Sequence, residues 1–456
     1  MNALLISVLL GVLLLFASVF VKNKSINYWI AVVGAGTLLV SNVAEIKGFE
    51  FISFSVEGMF HFDRYTLVLN TLLLFSVFCY LLLNGKSIAQ VGSGFTDYLV
   101  LLFFICAGMI MVTSFSSLLI LFLGIEIISI PLYILTASDK KNLKSNEAAL
   151  KYFLLGSFST GIMLMGMALF YGARGSFATI AAVDPTVIKS SLQLASILLL
   201  LFSISFKVSV VPFHFWTPDV YDGAPTVFTS FMATVVKVAL FGAFIRLFED
   251  TFSLQFAQWQ LWVGVLIVLT LFVGNFTAVF QHSVKRMLSY SSIAQAGFML
   301  LAVYAMNGTA KEGFLLYAIS YSLATIGIFT VLAKMNDYSL EGFNGLGKKD
   351  PLTAASLTIF LLSLAGIPLT GGFLAKLFMI KAALSYATWL GIVAVLMAVV
   401  SVYYYFRVIQ SIHFREDSQT ESVTIPRSLS LLLLVIAALI IWLGIYPESI
   451  FGLLYF

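Results

Sequence analysis

Six ionisable side chains stand inside long apolar stretches of this 456-residue chain: Glu126, Lys151, Lys207, Lys237, Lys376 and Lys381. A charge at the centre of a bilayer costs about 2.5–3.5 kcal/mol on insertion scales, so such groups must face one another or water instead of lipid. Glu126 lies in FLGIEIISIPLYIL with Pro131 five residues on. It cannot snorkel easily to either surface and needs a cationic partner. Lys207 and Lys237 fall on consecutive apolar runs and can approach the same interior depth. A nearby carboxylate strengthens an amine's hold on its proton, whereas burial or a second amine weakens it. Moving one glutamate relative to two lysines would therefore load or release a proton, and proton transfer is the chemistry on offer. Lys151 and Lys381 lie nearer run ends, where snorkelling to the headgroups is the competing explanation. For Glu126, Lys207, Lys237 and Lys376 the alternative is a structural ion pair, an expensive way to hold helices together.

The segment SFKVSVVPFHFWTPDVYDGAPT, 205–226, concentrates polar and helix-breaking residues directly after an apolar run. Pro212, Pro218 and Pro225 should interrupt a helix there and leave free carbonyls beside Lys207. Unpaired backbone at membrane depth is tolerated only where protein or water satisfies it, so a hydrated break is expected. His214, with an imidazole that titrates near neutrality, either relays protons between that break and bulk or caps the broken helix. Pro368 with Gly371 and Gly372 repeats the arrangement before Lys376, and two broken helices in two halves of a chain are expected of transporters built from structural repeats. Trp216 and Tyr221 read as interfacial anchors and not as a quinone site, and Met163, Met165 and Met167 as core filler.

The elements that must position these groups follow from composition. The chain is 61% hydrophobic and 10% charged, with a mean hydropathy of +1.03, whereas a soluble domain is about 25% charged. An integral membrane protein is expected, with its opening MNALLISVLLGVLLLFASVF kept as a first helix. Apolar runs long enough to span recur about fourteen times between 3–21 and 428–446. The run 352–388 is too long for one straight helix and should break at GIPLTGG. One set of loops holds Lys22, Lys24, Lys86, Lys140, Lys141, Lys144, Lys285, Arg286, Lys334, Lys348, Lys349, Arg415 and Arg427. The opposite set holds Lys47, Arg64, Arg174, Lys189 and Lys311, with Glu45, Glu50, Glu57, Asp63, Asp184, Glu249 and Asp250. The first set is expected in the cytoplasm and both termini in the periplasm of an inner membrane. A net charge of +4 spread over short loops argues against nucleic acid. Cys79 and Cys106 are isolated packing residues, and no metal or redox site is expected in this chain. GAG at Gly34–Gly36 lacks the third glycine and the strand–helix context of a dinucleotide site, and reads as small-residue helix packing.

VPFHFWTPDVYDGAPT and GIPLTGGFLAKL resemble segments of the antiporter-like membrane subunits of proton-pumping NADH:quinone oxidoreductase, respiratory complex I (NDH-1), and the first favours the subunit N branch. The resemblance covers nearly the whole chain. It implies an all-α integral membrane fold of about 14 transmembrane helices, with two inverted five-helix repeats and two broken helices. Residues 1–96 would form three N-terminal helices. Residues 97–250 would form the first repeat, broken near 205–225, and 251–412 the second, broken near 365–376. Residues 413–456 would supply a C-terminal helix. It further implies that Glu126 is the carboxylate of the fifth helix, Lys207 its partner on the broken seventh, Lys237 the connecting lysine of the eighth and Lys376 the terminal lysine of the broken twelfth. His214 matches the loop histidine, and Lys151 is carried over more loosely. FMN, iron–sulfur clusters and quinone would belong to partner subunits, and the membrane neighbours would be antiporter-like subunit M and the small subunits K, J and A. Two other readings are open: a subunit of a multisubunit cation/proton antiporter, and a structural spacer whose charges lock the assembly.

Overall fold

The computed structural model describes residues 1–49, 58–179, 190–416 and 425–455, and those residues are helical with only isolated bridges between extended segments. Glu50, Glu57, Asp184 and Lys189, from the loop-charge reading, lie outside the described residues. The chain runs through α1 (Asn2–Phe20), α2 (Lys24–Ile46), α3 (Arg64–Ile88), α4 (Phe95–Ser114), α5 (Leu118–Thr136) and α6 (Leu143–Arg174). Next come α7 (Ser191–Lys207), the short α8 (Trp216–Gly223), α9 (Thr226–Thr251), α10 (Phe256–Val279), α11 (Val284–Ala305) and α12 (Gly308–Leu332). Then α13 (Pro351–Ala365), α14 (Gly371–Leu384), α15 (Thr388–Phe414), α16 (Arg427–Ile445) and the short α17 (Glu448–Tyr455) complete the chain. Among the described residues, 12 helices are long and apolar enough to cross a membrane, and α7 and α13 are shorter apolar helices. These two are the first halves of the expected breaks: α7 ends at Lys207 and α13 at Ala365.

Burial explains the layering. Helices α9, α11 and α12 are enclosed by the rest of the bundle, whereas α1, α2, α15 and α16 keep most of their apolar surface outward. Outward leucine and valine are stable only against lipid or another apolar chain. Helix starts are set by side chains that accept from the first free amides. Asp63 caps α3, Ser283 α11, Asn307 α12, Asp350 α13 and Thr370 α14.

The loop charges segregate by contact as well as by sequence. On one side Arg174 donates to the Thr251 carbonyl at 2.9 Å, and Lys311 pairs with Glu249 at 2.7 Å. Arg64 reaches the Leu453 carbonyl there at 2.9 Å. Arg246, 7% exposed at the end of α9, also sits on that side. Its guanidinium binds the carbonyls of Phe115 and Thr113 and the Thr66 hydroxyl, and touches His61. On the other side Lys334, in the loop after α12, has its amine held below the usual lysine range by burial and by nearby Lys86. Lys285, expected as a loop charge, is buried there; it donates to the carbonyls of Asp222 and Ala224 at 2.8 and 2.7 Å and so caps the end of α8.

Glycine allows the second break to close tightly. Gly366 has φ +83° and ends α13, with its amide and that of Ile367 both returning to the last turn. A Cβ on Gly372 would overlap the carbonyl and hydroxyl of Ser363, whereas one on Gly161, on the outer face of α6, would meet nothing. Gly372→Ala should therefore lower the thermal unfolding midpoint of the purified protein, by an overpacking cost of about 1–3 kcal/mol. Gly161→Ala should leave it level or slightly raised.

Candidate functional site

The polar interior is built in two parts. In the first, α5 turns Glu126 and Ser129 to one face, since residues three apart on a helix are neighbours. Glu126 is half-buried, and its Oε1 accepts from the Thr160 hydroxyl of α6 at 2.9 Å. Lys207, 8% exposed at the end of α7, donates to the Ser129 hydroxyl at 3.2 Å and to Thr160 at 3.4 Å. The expected Glu126–Lys207 partnership is thus made through a hydroxyl: no ion pair joins Glu126 to a cation among the described residues. Thr160 was invisible to the sequence argument because a threonine in an apolar run is ordinary. Its only signal is a hydroxyl on the helix that must face Glu126.

The carbonyls expected free beside Lys207 are instead occupied. Those of Ile204, Ser205 and Phe206 accept from the amides of Val208, Val210 and Ser209, and Phe206 also accepts from the Trp216 indole at 3.0 Å. Trp216 and Tyr221, read as interfacial anchors, are buried at 3% and 1% exposure, and their rings meet edge to face at 5.9 Å. They fill the break that proline opens. His214, 7% exposed, packs its ring on Phe215 and leaves Nδ1 unpaired, with no bond to Lys207, Lys237 or Glu126.

The second part surrounds Lys237 and Lys376. Lys237, 2% exposed on α9, donates to the Ser292 hydroxyl at 2.6 Å and the Ser292 carbonyl at 3.1 Å. Ser292 meets the Tyr321 hydroxyl at 3.2 Å, and Tyr321 donates to the Ala233 carbonyl at 2.8 Å. That carbonyl lies in a π-helical turn, Met232–Val236, directly before Lys237. A wide turn of this kind loosens the usual backbone pairing, and such turns recur at functional sites. Lys376, 4% exposed, donates to the Leu364 carbonyl at 2.6 Å and lies 3.4 Å from that of Ala365. Here the break does leave carbonyls for a lysine. Between the two amines, Gln295 donates to the Leu364 carbonyl and to the Tyr405 hydroxyl, each at 3.0 Å, and accepts from Tyr317. Tyr405 in turn meets Ser291. Ser291, Ser292 and Gln295 occupy one face of α11, and Tyr317 and Tyr321 stack one turn apart on α12. The i, i+3 and i, i+4 spacing of these polar residues is visible in the sequence of α11 and α12.

The two parts meet at α8, where the Tyr221 hydroxyl faces Ser292. Tyr221 stands at the junction, its ring 5.7 Å from the Lys237 amine. Lys151 belongs to neither: it pairs with Glu147 at 2.7 Å and Asp219 at 2.8 Å, and Arg286 meets Asp219 at 3.2 Å. These groups line an open polar cavity of about 240 Å³ at the lysine-rich side of α8. Lys381 is exposed at the end of α14, as snorkelling requires. Cys79 and Cys106 are free and buried. Met163 and Met167 are core residues, while Met165 faces outward.

Comparison with known proteins agrees with this architecture. Residues 116–401 match the family model described as NADH:quinone oxidoreductase/Mrp antiporter, TM. NADH-quinone oxidoreductase subunit N of Cytophaga hutchinsonii is 38% identical, over 98% of this chain and 98% of its own. The subunit N of Flavobacterium psychrophilum is 35% identical over 100% of both. A chain of respiratory complex I from Thermus thermophilus, solved with bound aureothin, superposes with a TM-score of 0.84 at 32% identity, covering 98% of this chain and 97% of its own. A chain of the Mrp complex from a Dietzia species shares the fold at 17% identity, with a TM-score of 0.86 over 99% of this chain and 96% of its own. The chain belongs to the NADH:quinone oxidoreductase/Mrp antiporter transmembrane family.

Proposed function

We propose that this chain is a proton-translocating membrane subunit of a respiratory NADH:quinone oxidoreductase, with Glu126, Lys207, Lys237 and Lys376 as its proton-carrying groups. The observation that carries the proposal is the pair Lys237 and Lys376, two amines enclosed in the bundle with no carboxylate among the described residues bonded to either, held by hydroxyls and backbone carbonyls. A permanent structural cation would be expected to hold a counterion. Amines held only by neutral acceptors are suited to gaining and losing a proton. Full-length likeness to subunit N sequences favours this over the cation/proton antiporter alternative, because the Mrp likeness is at 17% identity and speaks to fold alone.

In this reading the fourteen crossings comprise the 12 long helices plus the interrupted α7–α8 and α13–α14. The chain divides at 1–96, 97–250, 251–412 and 413–456, with the two middle parts as inverted repeats. The lysine-rich loops face the cytoplasm, and both termini face the periplasm of an inner membrane. FMN, iron–sulfur clusters and quinone reside in partner subunits, and subunits M, K, J and A are its membrane neighbours. Lys151 and His214 stand outside the hydrogen-bonded row and serve at its margin. Moving one charge against 100 mV requires about 2.3 kcal/mol, and a hydrogen bond to a charged group is worth about 1.5–3 kcal/mol. Exchange of a few bonds at Lys207 or Lys237 is therefore of the size needed to gate a proton.

In the intact complex reconstituted into vesicles, Lys237→Met should lower the protons pumped per NADH oxidised, with a fall of roughly 10-fold or more in pumping rate. An unchanged ratio in a fully assembled complex would favour the spacer reading. Thr160→Val removes the bridge between Glu126 and Lys207 without touching either charge. A loss of pumping of roughly 10-fold or more is expected, since a hydrogen bond to a charged group is worth about 1.5–3 kcal/mol, measured in the same vesicles and checked against the subunit content of the complex.

A further inference from the structure

Proton hopping needs atoms that accept one hydrogen bond while donating another. Hydroxyls and water do this; a primary amide does not, because its oxygen only accepts and its nitrogen only donates. Gln295 is fully buried, and its amide is held at both ends. Oε1 accepts from the Tyr317 hydroxyl, and Nε2 donates to the Leu364 carbonyl and the Tyr405 hydroxyl, each at 3.0 Å. A carbonyl can only accept, so the Leu364 contact fixes the nitrogen on that side and the oxygen toward Tyr317. Lys376 donates to the same Leu364 carbonyl. The bonds that leave Lys237 pass through Ser292 and Tyr321 and end on the Ala233 carbonyl. Those that leave Lys376 end on the carbonyls of Leu364 and Ala365. Gln295 thus shares the Leu364 carbonyl with Lys376 and sits one turn from Ser292 on α11, and its amide itself hands no proton from one lysine branch to the other.

We propose that Gln295 is the insulator of the row: its amide keeps the Lys237 and Lys376 branches protonically separate until the side chain swings away and water takes its place. The proposal rests on the proton-translocation reading above and names the residue that times transfer within it. Gln295 is a positioning residue, since it neither gains nor loses the transported proton. Swinging it out breaks three hydrogen bonds of a buried amide, so the closed arrangement is the resting one. In this reading the ends of the row exchange with opposite sides of the membrane and water passes the junction at Tyr221, so a permanent bridge at position 295 is a leak.

The test uses the intact complex in sealed vesicles, reading passive proton leak without NADH and protons pumped per NADH with it. Gln295→Glu supplies a carboxyl that exchanges protons, and Gln295→Ser leaves room for water and a hydroxyl. Both should raise the passive leak several-fold and lower the pumped ratio while NADH oxidation continues. Gln295→Met fills the space with a group that carries no proton and should stay as tight as the unaltered complex. Assembled Glu and Ser variants that are both tight overturn the proposal, as does a Met variant that leaks equally, which marks a packing defect. Lys376→Met is the control for the underlying reading. If it lowers the pumped ratio while Gln295→Glu and Gln295→Ser stay tight, the insulator alone fails. If it pumps normally, the translocation reading fails and the insulator with it.

Discussion

Everything in this interior follows from holding lysine amines in an enclosed bundle without a bonded counterion among the described residues. A carboxylate next to each amine would make a locked pair, and lipid alone would make the helix impossible to insert. The structure takes a middle course and surrounds the amines with weak neutral acceptors. Lys207 has two hydroxyls, Lys237 a hydroxyl and a carbonyl, and Lys376 the carbonyls of a helix end. Such acceptors hold a charge well enough to tolerate it and loosely enough to let it go.

The two interrupted helices serve this end in opposite ways. Lys207 stands before its break and sends its amine away from it, while the break itself is closed by returning amides and the Trp216 indole. Lys376 stands after its break and reaches back to the carbonyls left at the end of α13. The first break therefore shapes the protein around Tyr221 and Asp219, and the second supplies ligands directly. Arg246 and Lys285 brace opposite ends of the same region by capping carbonyls. The centre can then lack salt bridges without losing its geometry.

Sequence reading succeeds here where one large energy dominates. Apolar runs mark spans because nothing else stabilises them, GIPLTGG marks a break because proline interrupts helical pairing and glycine weakens it, and lysines inside apolar runs are too costly to be incidental. It falls short where the deciding terms are small. Thr160, Ser292, Tyr321 and Gln295 are neutral residues of ordinary types, and only the facing of α5 on α6 and of α11 on α12 gives them partners. Pro212 lies in the break before α8 and Pro225 caps the start of α9, whereas Pro218, expected to interrupt as well, sits in the first turn of α8; which carbonyls stay free depends on where the chain turns next. Lys285 reads as a loop charge and Trp216 and Tyr221 as interfacial anchors, yet all three are buried. Each misreading assigned to the surface a side chain that tertiary packing buries.

The central claim is that these enclosed amines exchange protons during turnover. Time-resolved infrared difference spectroscopy on the intact complex, with lysine labelled at the side-chain nitrogen, tests it most directly. The account predicts ammonium bands that shift with the label, appear and decay within the catalytic cycle, and weaken when Lys237 or Lys376 is replaced. A complex that oxidises NADH and pumps normally while showing no label-sensitive lysine signal would contradict it.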